Sequence, residues 1–166
     1  MRKFISIVLC FFIFTGCAAQ GTIESRTPST VPPETTAAVL ETLPPEIPLE
    51  IFVPDENAES FRIVSTNVYE LDPLLITALL IEHSILHADV TLISAELVDT
   101  QLTLDFNQAF ADQLKTYGTS GERMMIGCVV NTFLRAYDAQ TVYITIDGGI
   151  LESGHVIYDF PIGFME

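Results

Sequence analysis

Basic residues are scarce in this chain: 7 Lys and Arg stand against 22 Asp and Glu, a formal charge of −15 over 166 residues. Such a surface repels phosphate backbones and anionic headgroups, which excludes nucleic-acid binding and a polybasic membrane contact. Cysteine is equally sparse, with only Cys10, Cys17 and Cys128. The chain holds no nucleophile elbow, no glycine-rich phosphate loop and no cysteine pair spaced for a metal. Nor is there a long apolar run. The one continuous stretch, Phe4 to Phe14, is far short of the ~20 residues that cross a ~30 Å hydrocarbon core.

That short run is nevertheless informative. Arg2 and Lys3 precede it and Thr15-Gly16-Cys17 follows it, the order of a charged leader, an apolar segment and a small residue before the cut. The cysteine at the cleavage point resembles the lipobox of bacterial lipoproteins, which implies a signal peptide over residues 1–16 and lipid attachment at Cys17. Phe14 stands where that pattern usually has leucine. An ordinary secretory leader with an incidental cysteine is the alternative. Loss of Arg2 and Lys3 with the leader leaves five basic residues against 22 acidic ones, a formal −17. Anchoring must then come from the lipid, on the extracytoplasmic face of the cell membrane. Cys128 remains as a single thiol, unable to form an internal disulfide and placed in an apolar helical stretch as an ordinary small hydrophobe.

Residues 17–48 are rich in Thr, Pro, Ser, Ala and Glu, as in Thr27-Pro28-Ser29-Thr30-Val31-Pro32-Pro33-Glu34. A segment so poor in large apolar residues cannot offset its ordering entropy, and its prolines favour an extended tether. At about 3 Å per residue it could hold a domain several tens of ångströms from the membrane. A plain spacer is the simpler reading.

Residues 49–166 have the size of one small domain. Strands are expected at Leu49–Val53 and Phe61–Val68. Asp72-Pro73 caps a helix expected to run from Pro73 to Leu86, because Leu74, Ala78, Ile81 and Ile85 recur at helical spacing. Thr91–Val98 and Leu102–Phe106 flank Asp99-Thr100-Gln101 as a hairpin, and Asn107–Lys115 forms a short helix. Thr119-Ser120-Gly121-Glu122 has the spacing of a capping box. Ile126, Val129, Val130, Phe133, Leu134 and Tyr137 then mark the stripe of a long helix. Thr141–Ile146 followed by Asp147-Gly148 is a strand and turn, and His155–Tyr158 adds an edge strand. The fold class expected is α+β, a two-layer sandwich with two main helices on one face of a mostly antiparallel sheet.

The run Leu104-Asp105-Phe106-Asn107, with Phe110 three residues on, resembles the central segment of GerMN domains, the sporulation and spore-germination family. Asn131-Thr132-Phe133 is similar to that family's helix and Val142 to Gly148 to its closing strand. Phe52-Val53-Pro54-Asp55 is similar to its opening. The likeness covers most of Leu49 to Gly149. Glu82 to His87 stand where the family usually has a Gly-Pro pair, and the Pro-x-Gly loop before the hairpin is missing. The resemblance implies an exported, often lipidated, binding or assembly module, similar in fold to the ring-building modules of channel assemblies. It implies no catalytic residue and no cofactor. The partner is then an envelope protein or peptidoglycan, with the membrane lipid engaged through Cys17.

Other chemistry has candidates too. His83 and His87 stand four apart beside Glu82, the spacing of two zinc ligands on one helix face, with His155 as a candidate third. Solvation at a helix end, where imidazole meets the dipole, is the alternative. Asp99, Asp105 and Asp147 could pair for acid–base work on a wall glycan, a small envelope hydrolase. Each also suits a turn or a helix start. Free sheet edges, Leu49–Val53 or Val156–Tyr158, could accept a strand from a partner. The apolar end, Phe160, Ile162, Phe164 and Met165, is expected to cover the helix layer, with a docking patch as the alternative.

Overall fold

A computed structural model describes residues 44–166. The expected leader, the lipid site Cys17 and residues 17–43 of the tether lie outside the described residues. Ten elements follow in order: β1 (Ile47–Pro54), β2 (Phe61–Val68), α1 (Pro73–Glu82), β3 (Leu92–Val98), β4 (Gln101–Phe106), α2 (Gln108–Leu114), α3 (Thr119–Tyr137), β5 (Thr141–Ile146), β6 (Gly149–Glu152) and β7 (Ile157–Tyr158). The domain is an α+β sandwich. Its strands form an antiparallel β1–β2 hairpin and a five-stranded sheet in the order β3-β4-β5-β6-β7.

Within the larger sheet only β4 and β5 run parallel, because α2 and α3 make the crossover between them. The strict alternation of β4 and β5 sets two faces. Leu102, Leu104 and Phe106 share the buried face with Val142, Ile144 and Ile146. Gln101, Thr103 and Asp105 share the half-exposed outer face with Thr141, Tyr143 and Thr145. The helices cover the buried face. Phe133 of α3 is fully enclosed, and Phe106 stacks on Phe110 of α2 with ring centroids 4.5 Å apart.

The long helix α3 also lies against β1. Thr132 ties them: its Oγ1 accepts from Phe52 N–H at 3.0 Å while donating to the Cys128 carbonyl at 2.7 Å. Gly127 is needed where the hairpin meets the helix, since a methyl group there would overlap the ring of Phe61.

Two local expectations need correction. The first helix ends at Glu82, four residues short of Leu86. Ser84 takes φ 59°, and its N–H bonds the Ile81 carbonyl while Ile85 N–H bonds the Leu80 carbonyl. This is a Schellman stop with serine where glycine is usual. Ile85 keeps the apolar periodicity because it packs back into the core after the stop. The capping box does not form either. Gly118 occupies the cap position of α3 with no side-chain bond, and Glu122 turns inward.

The apolar C-terminus packs on the domain in two places, Ile162 along β5 and Met165 against α3. Ile162 exchanges two backbone bonds with Val142, at 2.7 and 2.8 Å. Asn131 of α3 then clamps Met165, donating from Nδ2 to its carbonyl and accepting its N–H on Oδ1. Phe160 and Phe164 stay exposed, the latter edge-on to Phe52 and beneath the Arg135 guanidinium.

Candidate functional site

Each acidic candidate holds a turn. Asp105 Oδ1 accepts from Thr145 Oγ1 at 2.7 Å and from Gly148 N–H at 2.8 Å, bracing the β5–β6 turn from the neighbouring strand. In that turn Asp147 and Gly148 both have positive φ, 48° and 76°, as a two-residue hairpin of the I′ kind requires. Asp99 has φ 53° at the β3–β4 turn. Asp99 and Asp147 occupy the turns at opposite ends of their strands, since β4 runs from the first turn toward Asp105 and β5 runs parallel to it. A facing pair across a sugar cleft is therefore not formed by Asp99 with the other two.

The histidines are dispersed. With α1 ended at Glu82, His83 is its C-cap and His87 lies in the following loop, so the two imidazoles do not share a helix face. His87 N–H donates to the buried Gln113 side chain at 2.8 Å, and His155 is exposed between β6 and β7. Among the described residues no three His, Cys, Asp or Glu are grouped to hold a metal ion. The Cys128 thiol is fully buried, and desolvation pushes its pKa up to about 12. The thiolate that nucleophilic chemistry needs is therefore suppressed.

The residues that carry the family likeness are structural. Asp55 closes the β1–β2 turn, its carboxylate accepting from Ser60 Oγ at 2.7 Å and from the N–H groups of Glu59 and Asn57. The Ser60 hydroxyl, with the Glu59 N–H next, lowers its pKa. Asn107 staples the loop before β3, with Oδ1 accepting from Thr91 N–H and Nδ2 donating to the Asp89 carbonyl. Thr132 and Asn131 tie down β1 and the C-terminus, and Phe133 fills the core.

Sequence reasoning missed one polar cluster. Glu122, in the first turn of α3, is 1% exposed. Its Oε1 accepts from Ser153 Oγ at 2.6 Å and from Tyr158 OH at 2.7 Å, while Oε2 has no hydrogen-bond partner among the described residues. Burial, then the bond to Glu122 and its charge, raise the Tyr158 pKa well above that of a free phenol. The cluster pins β6 and β7 to the helix. Its only sequence signal was Glu122 at a capping spacing, which pointed to a different role.

Two surface hollows adjoin the start of α3. A mixed one of about 420 Å³ is lined by Asn57, Glu59, Phe61, Ser120, Arg123 and Met124 among others. A smaller apolar one of about 180 Å³ lies between Pro54, Ile85, Tyr117, Met124 and Cys128. Neither gathers a nucleophile, a base and an orienting group. The sheet edges differ from one another. Phe52 N–H of β1 is taken by Thr132 and β7 has only two residues, whereas the seven-residue β3 is open along its outer side.

The Germane family model, described as sporulation and spore germination, matches residues 50–152. Among solved structures the chain is similar to the tandem GerMN domains of the sporulation protein GerM from Bacillus subtilis. The identity is 18% and the TM-score 0.49, over 72% of this chain and 45% of that one. The chain thus spans less than half of that tandem structure. The first GerMN domain of the same protein matches at 18% identity and TM-score 0.44, covering 62% of this chain and 84% of its own. A Clostridium perfringens protein named as a lipoprotein matches at 16% identity and TM-score 0.43, over 71% of this chain and 87% of that one. No curated protein matches.

Proposed function

The chain belongs to the Germane family of sporulation and spore germination, and on that premise we propose that it is a lipid-anchored, non-catalytic assembly module of the cell envelope. The observation that carries this reading is the use made of the family signature. Asp55, Asp105, Asn107, Asn131, Thr132 and Asp147 each hold a turn, a loop or a terminus. All but Asp147, which acts through its backbone, spend their side-chain polar groups on these bonds. What is left to act is surface, in particular an open strand edge.

Thr15-Gly16-Cys17 supports anchoring through a lipid on Cys17 at the extracytoplasmic face of the membrane, with residues 17–48 as the tether. No helix among the described residues is long and apolar enough to cross a membrane. Cys17→Ala should release the protein from the membrane fraction and change its mature mass. Unchanged partitioning and mass would remove the anchor from the proposal. Pull-down of envelope proteins, set against sedimentation with peptidoglycan fragments, distinguishes an assembly role from wall binding. Turnover of wall glycan abolished by Asp147→Asn, which keeps the positive φ of that turn, would replace both with a hydrolase.

A further inference from the structure

Edge strands of soluble proteins are normally blunted by lysine, proline, shortness or a covering element. Most edges here follow that rule. β1 carries Pro48 and Pro54 and gives its Phe52 N–H to α3, β2 presents Arg62, and β7 has two residues. β3 does not. It is seven residues long, Leu-Ile-Ser-Ala-Glu-Leu-Val, with no proline and no basic residue. Ile93, Leu97 and Val98 are 52%, 44% and 58% exposed. Its one irregularity is a register shift at Ile93, and its one charge is Glu96. Beside it lies α1, which is apolar on nearly every face and leaves Leu74 and Leu75 in solvent. A helix of that composition is ordinarily buried all round.

The backbone directions along β3 follow from its partner. Phe106 of β4 gives its carbonyl to Asp147 N–H on the β5 side, whereas Asn107 N–H bonds the Thr91 carbonyl on the β3 side. Alternation along β4 therefore turns Asp105, Thr103 and Gln101 toward β3, where they meet Ser94, Glu96 and Val98. The N–H and C=O groups of Ala95 and Leu97 are left pointing outward.

We infer that this edge pairs with β3 of a second copy of the chain, antiparallel about a two-fold axis at Ala95, joining two five-stranded sheets into one. The inference rests on the assembly reading and names its partner. Self-complementarity is what selects a second copy. About Ala95 the sequence reads apolar, polar, small, polar, apolar: Ile93-Ser94-Ala95-Glu96-Leu97. The two-fold puts Ala95 opposite Ala95, where both sets of outward groups can bond. The Ser94 hydroxyl then faces the Glu96 carboxylate rather than a second carboxylate, and Leu97 comes up beside the bulge at Ile93. An isologous contact requires this kind of match. Charge distribution agrees, since the charged residues of β3 and α1 are Glu82 and Glu96 alone, in a chain of net −15. This is a patch on which two acidic molecules can meet with least repulsion. With Leu92, Ile76, Thr77 and Leu80 buried, the rest of β3 and α1 make a small patch, below the roughly 20 residues a side of a standard interface.

The test uses the full chain in membranes. Ala95→Cys places two thiols opposite each other across the axis, within the ~4.4–6.8 Å Cα separation that a disulfide spans. Mild oxidation should convert most of it to a reductant-sensitive dimer. Ile157→Cys, on the β7 edge and more exposed than Ala95, should stay monomeric. Adding Leu97→Lys to Ala95→Cys should lower the dimer yield at least tenfold. Leu97 is solvent-exposed, so the fold should survive, as an unchanged circular-dichroism melt would verify. Equal cross-linking at positions 95 and 157, or none at 95, overturns the inference. A cross-link from position 95 to a different protein also overturns it, but leaves the assembly reading standing.

Discussion

Replacing Glu122 with glutamine should leave the domain at least as stable, whereas replacing it with alanine should cost about 2–4 kcal/mol. The asymmetry comes from the geometry of one carboxyl. Both bonds to the side chain reach the same oxygen, Oε1, from Ser153 Oγ at 2.6 Å and Tyr158 OH at 2.7 Å. The other oxygen, Oε2, is buried without a partner among the described residues. Glutamine keeps the acceptor for both hydroxyls and puts an amide where the unpartnered oxygen stood. An ionisable group taken out of water costs more than a neutral one unless it is paired. Against this, the first turn of α3 favours negative charge by roughly 0.3–1 kcal/mol, so the expected gain for glutamine is small. Alanine removes the acceptor altogether. Ser153 retains a 3.2 Å contact with the Val156 carbonyl, but the Tyr158 hydroxyl loses its partner, at about 1–3 kcal/mol. The emptied side-chain volume adds a cavity cost. For a domain of this size the alanine variant should melt on the order of 10 °C lower by circular dichroism. Tyr158→Phe should cost about 1 kcal/mol alone and little more on top of Glu122→Ala, because the two share one bond. If glutamine destabilised as much as alanine, the carboxylate charge itself would be holding β6 and β7 to the helix, which would refute a role limited to accepting two hydroxyls.

Phe133→Ala should destabilise by roughly 3–5 kcal/mol and unfold much of the population, since the ring is fully enclosed. Arg135→Ala should change the urea midpoint little, because its contacts with Glu50 at 3.8 Å and the Phe164 ring at 5.6 Å are solvent-exposed. Equal midpoints would mean that α3 presents a different face to the core. Gly127→Ala should lower stability despite alanine's better helix propensity, because the methyl group displaces Phe61 of the hairpin; a raised melting temperature would refute the close approach. The raised pKa of Tyr158 has a pH consequence. The unfolded chain releases that proton near pH 10 and the folded chain only above it, so the folded state binds more protons there. The stabilisation is complete below about pH 10 and is lost as pH rises through the folded value. Stability should fall more steeply above pH 10 in the wild type than in Tyr158→Phe, and parallel curves would count against the buried bond.

Regular elements were readable because the physics that makes them is local. The alternation of β4 and β5 appears in the structure with the expected faces, and the expected stripe of α3 from Ile126 to Leu134 is buried, but so is every other residue from Met125 to Leu134. The turns at Asp99 and Asp147 fell between the expected strands. What escaped were features decided by distant partners or by an atypical residue. Nothing local marks Ser84 as a helix stop, since serine there takes φ 59° where glycine is usual and Ile85 preserves the apolar rhythm. Glu122 has the right spacing for a cap, but Ser153 and Tyr158, more than thirty residues away, claim it instead. The parallel β4–β5 pair depends on a crossover that periodicity cannot place. Among the candidate sites, the histidines lost their shared face when the helix ended early. Edges were anticipated as interaction points at β1 and β7, yet only the complete strand order exposes β3 as an open edge of the five-stranded sheet.

The same residues that make the family recognisable are occupied in making the fold, and this bears on where activity can reside. Asp105 must accept from Gly148 and Thr145 for the β5–β6 turn to form, and Asn107 must bridge Thr91 and Asp89 for β3 to enter the sheet in register. A change at either position would therefore damage folding and partner binding together and could not separate them. Positions on the outward side of β3 behave otherwise. Leu97 and Glu96 are exposed and lie outside the domain's buried core, so their substitution can alter association at constant stability. The strands of the sheet thus differ, β4 and β5 carrying part of the signature and the core while β3 carries the surface proposed to meet a second copy. A variant series along β3 that changed association only in proportion to lost stability would contradict that division.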